Sequence, residues 1–317
     1  MIAAQLWKSG LFNQLFSLEL IVGLGALLKK PVLFYDLCLF NMYCPNYEKN
    51  HRYENLKDGN KTKRITQLLE WDSDGWVIDD KNLSKELPEF TTFSLLDKVI
   101  NCNRELSAEQ KGQYKLVVLD PEVRYNFTGT FGLYSEVFLN RTEEIDLALS
   151  KIKWKSPYID LANEISSQLG DYSGMHLRDS DMKEFVTVSD RSFVDGVHKM
   201  LDFGLPIILS SDSPERDIIQ KQKKHYEIID DIIRYDWGSK FKELPNRDEV
   251  TFGLICNLVL CNSKHFIGTM GSTFSMYIQR EVYKKTNTPN WEVFDFNFCK
   301  EPCLLKTENE NSKLKFN

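Results

Sequence analysis

The sequence predicts an α/β protein with a doubly wound, largely parallel sheet, and three observations carry that prediction. Short apolar runs of strand length alternate with stretches of helical periodicity between Gly174 and Tyr283. The chain also opens on a strand, a loop, a helix and a second strand. Its 317 residues are about twice the usual domain size, so two medium domains or one large α/β domain are expected.

The first strand runs from Ile2 to Leu6, and a turn around Ser9 and Gly10 leads into a helix from about Phe12 to Leu28. A second strand follows at Pro31 to Tyr35, which makes a β-loop-α-β unit and therefore parallel pairing. From Asn46 to Ser84 the chain crowds Lys, Asp, Asn and Gly together with little periodicity, which predicts a long excursion or a poorly packed insertion. Apolar order resumes at Phe93 to Ile100, and Tyr114 to Leu119 reads as a buried strand stopped by Asp120 and Pro121. Helical spacing returns around Thr142 to Lys153 and Ile159 to Leu169.

The second half alternates more cleanly. A strand at Gly174 to Leu177 precedes a helix that starts after Ser189 or Asp190. Next come a strand at Pro206 to Leu209, a helix beginning at Ser213 and Pro214, a helix at Glu249 to Leu260, a strand at His265 to Ile267 and a helix at Ser272 to Tyr283. Pro214 suits a first helical turn, where its missing N–H would have no partner in any case. In doubly wound sheets ligands bind beyond the carboxyl ends of the strands, so the loops after Leu177, Ser210 and Ile267 are the places to look for chemistry.

Composition narrows the classes of function. Hydrophobic residues make up 42% and charged residues 27%, typical of a globular chain with a sizeable core. Forty basic and 46 acidic side chains give a net charge of −6, which argues against a broad nucleic-acid surface but leaves room for a local anion site. Leu11 to Leu28 is interrupted by Asn13, Gln14, Ser17 and Glu19, whereas a membrane span needs about 20 nearly uninterrupted apolar residues. It also lacks the basic lead and cleavage site of a signal peptide, so a cytoplasmic location is expected. The seven cysteines are an odd number and too sparse for a disulfide scaffold, and the Cys299 and Cys303 pair lacks the companions a zinc site requires, so no metal is expected. Sequons at Asn60, Asn82, Asn126 and Asn140 matter only in a secretory compartment.

Four segments carry candidate chemistry. In Gly174-Met175-His176-Leu177-Arg178-Asp179-Ser180-Asp181, the strand period places His176 and Arg178 on one face. An Arg at the end of a buried strand can hold a phosphate bidentately; the alternative is an edge-strand Arg paired with Asp179 or Asp181. In Leu209-Ser210-Ser211-Asp212-Ser213-Pro214, Asp212 either accepts from a ligand or caps the following helix. In Gly268-Thr269-Met270-Gly271-Ser272-Thr273-Phe274-Ser275, small residues allow close backbone approach, and the amides of Ser272, Thr273 and Phe274 would open a helix that favours an anion. The alternative is a structural strand-to-helix turn, and the missing Lys disfavours P-loop chemistry. Ser9-Gly10-Leu11-Phe12-Asn13-Gln14 is either a capped turn or a second source of backbone N–H groups with the Asn13 amide.

These segments, in this order, resemble the GDP-fucose-dependent fucosyltransferase superfamily, in particular the protein O-fucosyltransferases and α1,6-fucosyltransferases. The early Gly-x-x-Asn-Gln motif is matched by Gly10 to Gln14, the His-x-Arg motif by His176 to Arg178 with a trailing acid at Asp181, and the Ser-Asp turn by Ser210 to Asp212. The family's Gly-Thr-x-x-Ser-Thr-Phe-Ser segment is matched by Gly268 to Ser275 and is the most specific of the four.

The resemblance implies a GT-B architecture, two Rossmann-like domains facing a central cleft, and inverting, metal-independent transfer to a glycan or protein hydroxyl. It divides the chain into an N-terminal domain at 1–155 on the acceptor side, with a polar insertion at about 46–90, a nucleotide-sugar domain at 156–306 and a loose tail at 307–317. Arg178 would hold the β-phosphate and Asn13 would orient the attacking hydroxyl. Gly10, Phe12, His176, Asp212, Ser272, Thr273 and Phe274 would bind the donor, with Asp181 and Ser275 as further candidates. GDP-fucose enters as a substrate, so no cofactor is implied. Two departures stand out: Asp179 occupies the place of a second Arg found in some members, and Ser9, Gly10 and Leu11 offer no carboxylate as general base. A non-catalytic binding relative, or an enzyme for another GDP-sugar, is the alternative.

Overall fold

The structure is a computed structural model and describes residues 2–5, 10–28, 32–35, 65–70, 77–78, 115–119, 124–128, 143–179, 186–245, 247–286 and 293–298. The chain divides between Lys155 and Ser156 into two compact units. Among the described residues no helix is long and apolar enough to cross a membrane.

The first unit opens on the expected parallel βαβ unit. Strand β1 (Ile2–Gln5) pairs with β2 (Val32–Tyr35) from Ile2 opposite Val32 to Gln5 opposite Tyr35, and helix α1 (Leu11–Leu28) connects them. Phe12, Leu15, Phe16, Leu18, Val22 and Ala26 are its buried apolar stripe, at the spacing of a helix face. The polar stretch from Asn46 to Ser84 holds more order than its composition suggests. It contains a short 3₁₀ turn, Ile65–Gln67, and the strands β3 (Leu69–Glu70) and β4 (Val77–Ile78), the latter extending the parallel sheet beside β2. Buried Ile65, Leu68 and Leu69 anchor it, three apolar residues too closely spaced to show periodicity.

Strand β5 (Lys115–Leu119) is half of an antiparallel pair with β6 (Arg124–Thr128), not a strand standing alone. The sequence of β6 alternates Arg124, Asn126 and Thr128 with Tyr125 and Phe127, a period-two pattern of the kind that forms strands. Helix α2 (Glu143–Leu149) lies against α1 and is shorter than its periodicity predicts. The chain leaves it to form β7 (Lys153–Trp154), which pairs with β3 and buries Trp154 edge-on to Phe12, with ring centroids 6.2 Å apart.

The second unit is built on a parallel sheet of four strands in the order β11 (Glu227–Ile228), β10 (Ile207–Ser211), β8 (Ser173–Leu177), β12 (His265–Gly268). Helix α3 (Ser156–Leu169) leads into β8, burying Tyr158, Leu161, Ala162 and Ile165 at helical spacing. A small antiparallel pair, β9 (Val186–Val188) with β13 (Phe296–Phe298), sits beside the sheet. Helix α4 (Asp190–Leu201) begins at Ser189, whose hydroxyl accepts from the Ser192 N–H, so the start signal lies at Ser189. Helix α5 covers Asp217–Gln222, α6 Gly238–Glu243, α7 Glu249–Leu260 and α8 Thr273–Thr286. Asp248 caps α7 by accepting from the Thr251 N–H at 2.9 Å.

Side chains alternate across the sheet as the strand period requires. Met175, Leu177, Ile207, Leu209 and Ile267 form one apolar core with Phe193, Val197 and Phe294. His176 and Gly268 belong to the opposite face, against the first turn of α8. Phe93 to Ile100, Asp181, the tail and every cysteine other than Cys256 and Cys261 lie outside the described residues. Those two are buried thiols outside any disulfide.

Candidate functional site

The strand order places the site. From β8 the chain steps to β10 and β11 on one side, then crosses to β12 on the other, so the direction of winding reverses between β8 and β12. A crevice opens at such a switch point beyond the carboxyl ends of the two strands. The residues there are His176, Leu177 and Arg178 from β8, and Gly268 and Thr269 from β12. β8 is an interior strand, so Arg178 does not stand on a sheet edge.

Thr269 joins the two strands. Its hydroxyl accepts from the Arg178 backbone N–H at 2.9 Å and donates to the His176 carbonyl at 3.2 Å. Ser275, in the first turn of α8, accepts from the Thr269 N–H at 3.1 Å, and its hydroxyl lies 2.6 Å from Nδ1 of His176. The imidazole stacks on the Phe274 ring with centroids 4.4 Å apart. Burial, reinforced by the positive charge of Arg178, holds the His176 pKa down to about 3, so the ring is neutral at ordinary pH. A neutral imidazole adjusts its tautomer to Ser275 and contributes position, not charge.

Gly268 makes this closeness possible. A Cβ there would lie 2.7 Å from both Cβ and Oγ of Ser275, so only glycine lets the end of β12 and the start of α8 meet. Gly271, at φ 75°, supplies the left-handed turn that aims the helix at the crevice. On the far side, buried Asn257 of α7 donates to the Phe274 carbonyl at 3.1 Å and steadies that first turn. Ser272 is 3% exposed and its Oγ has no hydrogen-bond partner, at the end of a 14-residue helix where first-turn N–H groups have no intrahelical acceptor.

Asp212 does not cap the helix that follows it. Its Oδ1 accepts from the Asp179 N–H at 2.8 Å, and the helix it was expected to cap begins later, at Asp217 with Arg216 as the N-cap residue. Pro214 therefore lies outside the first helical turn. The preceding turn is closed by Ser211 Oγ accepting from the Ser213 N–H and by the Ser213 carbonyl accepting from the Arg216 N–H. Asp179 itself is buried and faces Arg216, with Oδ2 and Nη1 3.3 Å apart.

The second unit thus brings together His176, Arg178, Asp212, Ser272, Thr273, Phe274 and Ser275. Gly10, Phe12 and Asn13 stand at the start of α1 in the first unit. There Gly10 is exposed, its carbonyl accepts from the Gln14 N–H, and among the described residues nothing lies within 4 Å of where its Cβ would be. The Phe12 ring is buried against Trp154, so only its backbone remains for a ligand, while Asn13 is half-buried. Two contributors were missed in the sequence. Thr269 lay inside a quoted motif, and its bridging hydroxyl needs the β8 and β12 pairing to be known; Arg216 sat in what looked like ordinary helix. Among the described residues no group of three His, Cys, Asp or Glu side chains is disposed to hold a metal ion.

In sequence comparison no family model and no curated protein matches the chain. Its fold is similar to that of POFUT1 in complex with GDP-fucose, with 12% identity, a TM-score of 0.51, and coverage of 92% of this chain and 97% of that one. It is also similar to NodZ α1,6-fucosyltransferase soaked with GDP-fucose, with 13% identity, a TM-score of 0.50, and coverage of 89% of this chain and 92% of that one. The shared feature is the fold.

Proposed function

We propose that this protein is a glycosyltransferase of the GT-B type that moves fucose from GDP-fucose to a hydroxyl of a glycan or protein acceptor, with inversion and without a metal. The observation that carries the reading is the bond network at the switch point. Thr269 and Ser275 tie the end of β8 to the first turn of α8, which sets Arg178 beside a helix amino terminus. Of the two similar structures, one is a complex with GDP-fucose and the other was soaked with it, and a diphosphate is the ligand such a corner of guanidinium and amides would accept.

In this reading the second unit is the donor half and the first the acceptor half. As the fucosyl C1–O bond breaks, negative charge grows on the β-phosphate of the leaving GDP. Donors already fixed there stabilise the transition state more than the ground state. Arg178 supplies the full charge, and the amides of Thr273 and Phe274 with the Ser272 hydroxyl supply the dipoles, the Ser272 N–H being taken up by the Thr269 carbonyl at 3.3 Å. His176 and Asp212 line the nucleoside side. Asn13 orients the attacking hydroxyl, whose proton passes to a leaving-group oxygen.

The experiment is donor cleavage. Pure protein is incubated with GDP-fucose in EDTA, with and without glycan and peptide acceptors, and GDP release is followed. Release that persists in EDTA supports the reading, and loss of release in EDTA would remove its metal-independent part. One observation favours a second reading, a binding relative without activity: Asp179, where some related enzymes place a second Arg, is committed to Arg216. GDP binding by calorimetry without release from any GDP-sugar would select it.

A further inference from the structure

Asp179 is 2% exposed, and an ionised carboxylate is not buried without strong compensation. Among the described residues it is ion-paired with Arg216, whose side chain is only 20% exposed; the 3.3 Å contact between Oδ2 and Nη1 is electrostatic, without hydrogen-bond geometry. The same guanidinium donates through Nη2 to the Val188 carbonyl at 2.9 Å and to Asp190 Oδ1 at 2.5 Å. One side chain therefore gathers the loop after β8, the end of β9, the first residue of α4 and its own loop after β10. Two carboxylates surround this one guanidinium, so Arg216 has no surplus charge to offer an anion. Its use is geometric.

That geometry converges on the neighbour of Asp179. The Arg178 N–H is held by Thr269 and the Asp179 N–H by Asp212, so both peptide groups flanking Arg178 Cα are already fixed from two other loops. The Asp179 side chain adds a third tether. We propose that Asp179 and Arg216 form a positioning clamp that fixes the backbone at Arg178 and hence the direction in which its guanidinium leaves the sheet. The clamp rests on the donor-binding reading for its purpose but not for its existence. It also gives the departure at Asp179 a role: where a second Arg would have added charge, this chain adds rigidity.

The test compares Arg216→Met, Asp179→Asn, the double variant and Arg216→Lys with the wild-type chain by local amide hydrogen exchange, GDP calorimetry and thermal unfolding. Arg216→Met is expected to speed exchange of the Arg178 and Asp179 amides, to lower the unfolding midpoint, and to weaken GDP binding about tenfold, or about 1.4 kcal/mol. Arg216→Lys keeps the charge but loses the planar fork, so exchange should rise there too. In the double variant no unpaired charge is buried, so the midpoint recovers toward wild type while exchange stays fast and GDP affinity stays low. A purely structural pair would recover all three together, and that outcome, or unchanged exchange in Arg216→Met, overturns the clamp. If the wild-type chain binds no GDP, the donor-binding reading fails, and the exchange data still decide whether the clamp exists.

Discussion

The two faces of β8 do different work with the same five residues. On one face Met175 and Leu177 join Ile207, Leu209 and Ile267 in the core. On the other, Gly174 and His176 lead to Arg178 through side chains chosen for contact geometry. The apolar face tolerates exchange of one hydrophobe for another of similar volume. The other face depends on individual atoms: a hydroxyl at Thr269, a missing Cβ at Gly268, a ring nitrogen at His176. Stability and function are therefore separable on a single strand, and substitutions can test that separation.

The largest effect is expected from the core face. Met175→Ala should lower stability by about 2–5 kcal/mol, because Met175 is fully buried and leaves a cavity. GDP affinity of the molecules that remain folded should be unchanged; a large loss of affinity at wild-type stability would show that the faces are not separable. Arg178→Ala is the converse. It should reduce transfer by about 10²–10³-fold, on the scale of losing one oxyanion donor, while the unfolding midpoint moves little. Activity within a few-fold of wild type would remove Arg178 from the phosphate site. Gly268→Ala joins both effects. The new Cβ meets Ser275 at its own Cβ, which cannot swing aside, so β12 and α8 must separate at a cost of about 1–3 kcal/mol. GDP affinity should fall with stability in that variant alone of the three.

Why one face was legible in the sequence and the other only partly so follows from the same contrast. Apolar runs reveal themselves by period, and the parallel strands at Gly174, Pro206 and His265 were found within a residue or two of their observed bounds. The short strands β9 and β13 were not found, because three residues are too few for a period. The site was legible as types of residue at strand ends: His176 and Arg178 share a face because strands alternate. Its bonds were not legible. That Asp212 would hold the Asp179 N–H, 33 positions away in sequence, depends on β10 lying next to β8. Pro214 misled for a local reason, since Pro serves a turn as well as a first helical residue.

The smallest effect is the most specific to the functional face. His176 is held neutral, with its pKa depressed from 6.5 to about 3 by burial first and Arg178 second. Between those values the unfolded chain binds a proton at this residue and the folded chain does not. Stability from this group is thus complete above about pH 6.5 and declines as pH falls, by up to about 1.4 kcal/mol per pH unit. His176→Gln keeps a polar partner for Ser275 and cannot titrate, so its stability should fall less steeply on acidification than that of the wild-type chain. Denaturant midpoints for both at pH 7, about 6 and about 5 provide the comparison, since every other titrating group is common to the two. Parallel curves would mean that His176 takes up its proton in the folded state, and that the face bearing Arg178 is open to water instead of packed around a neutral ring.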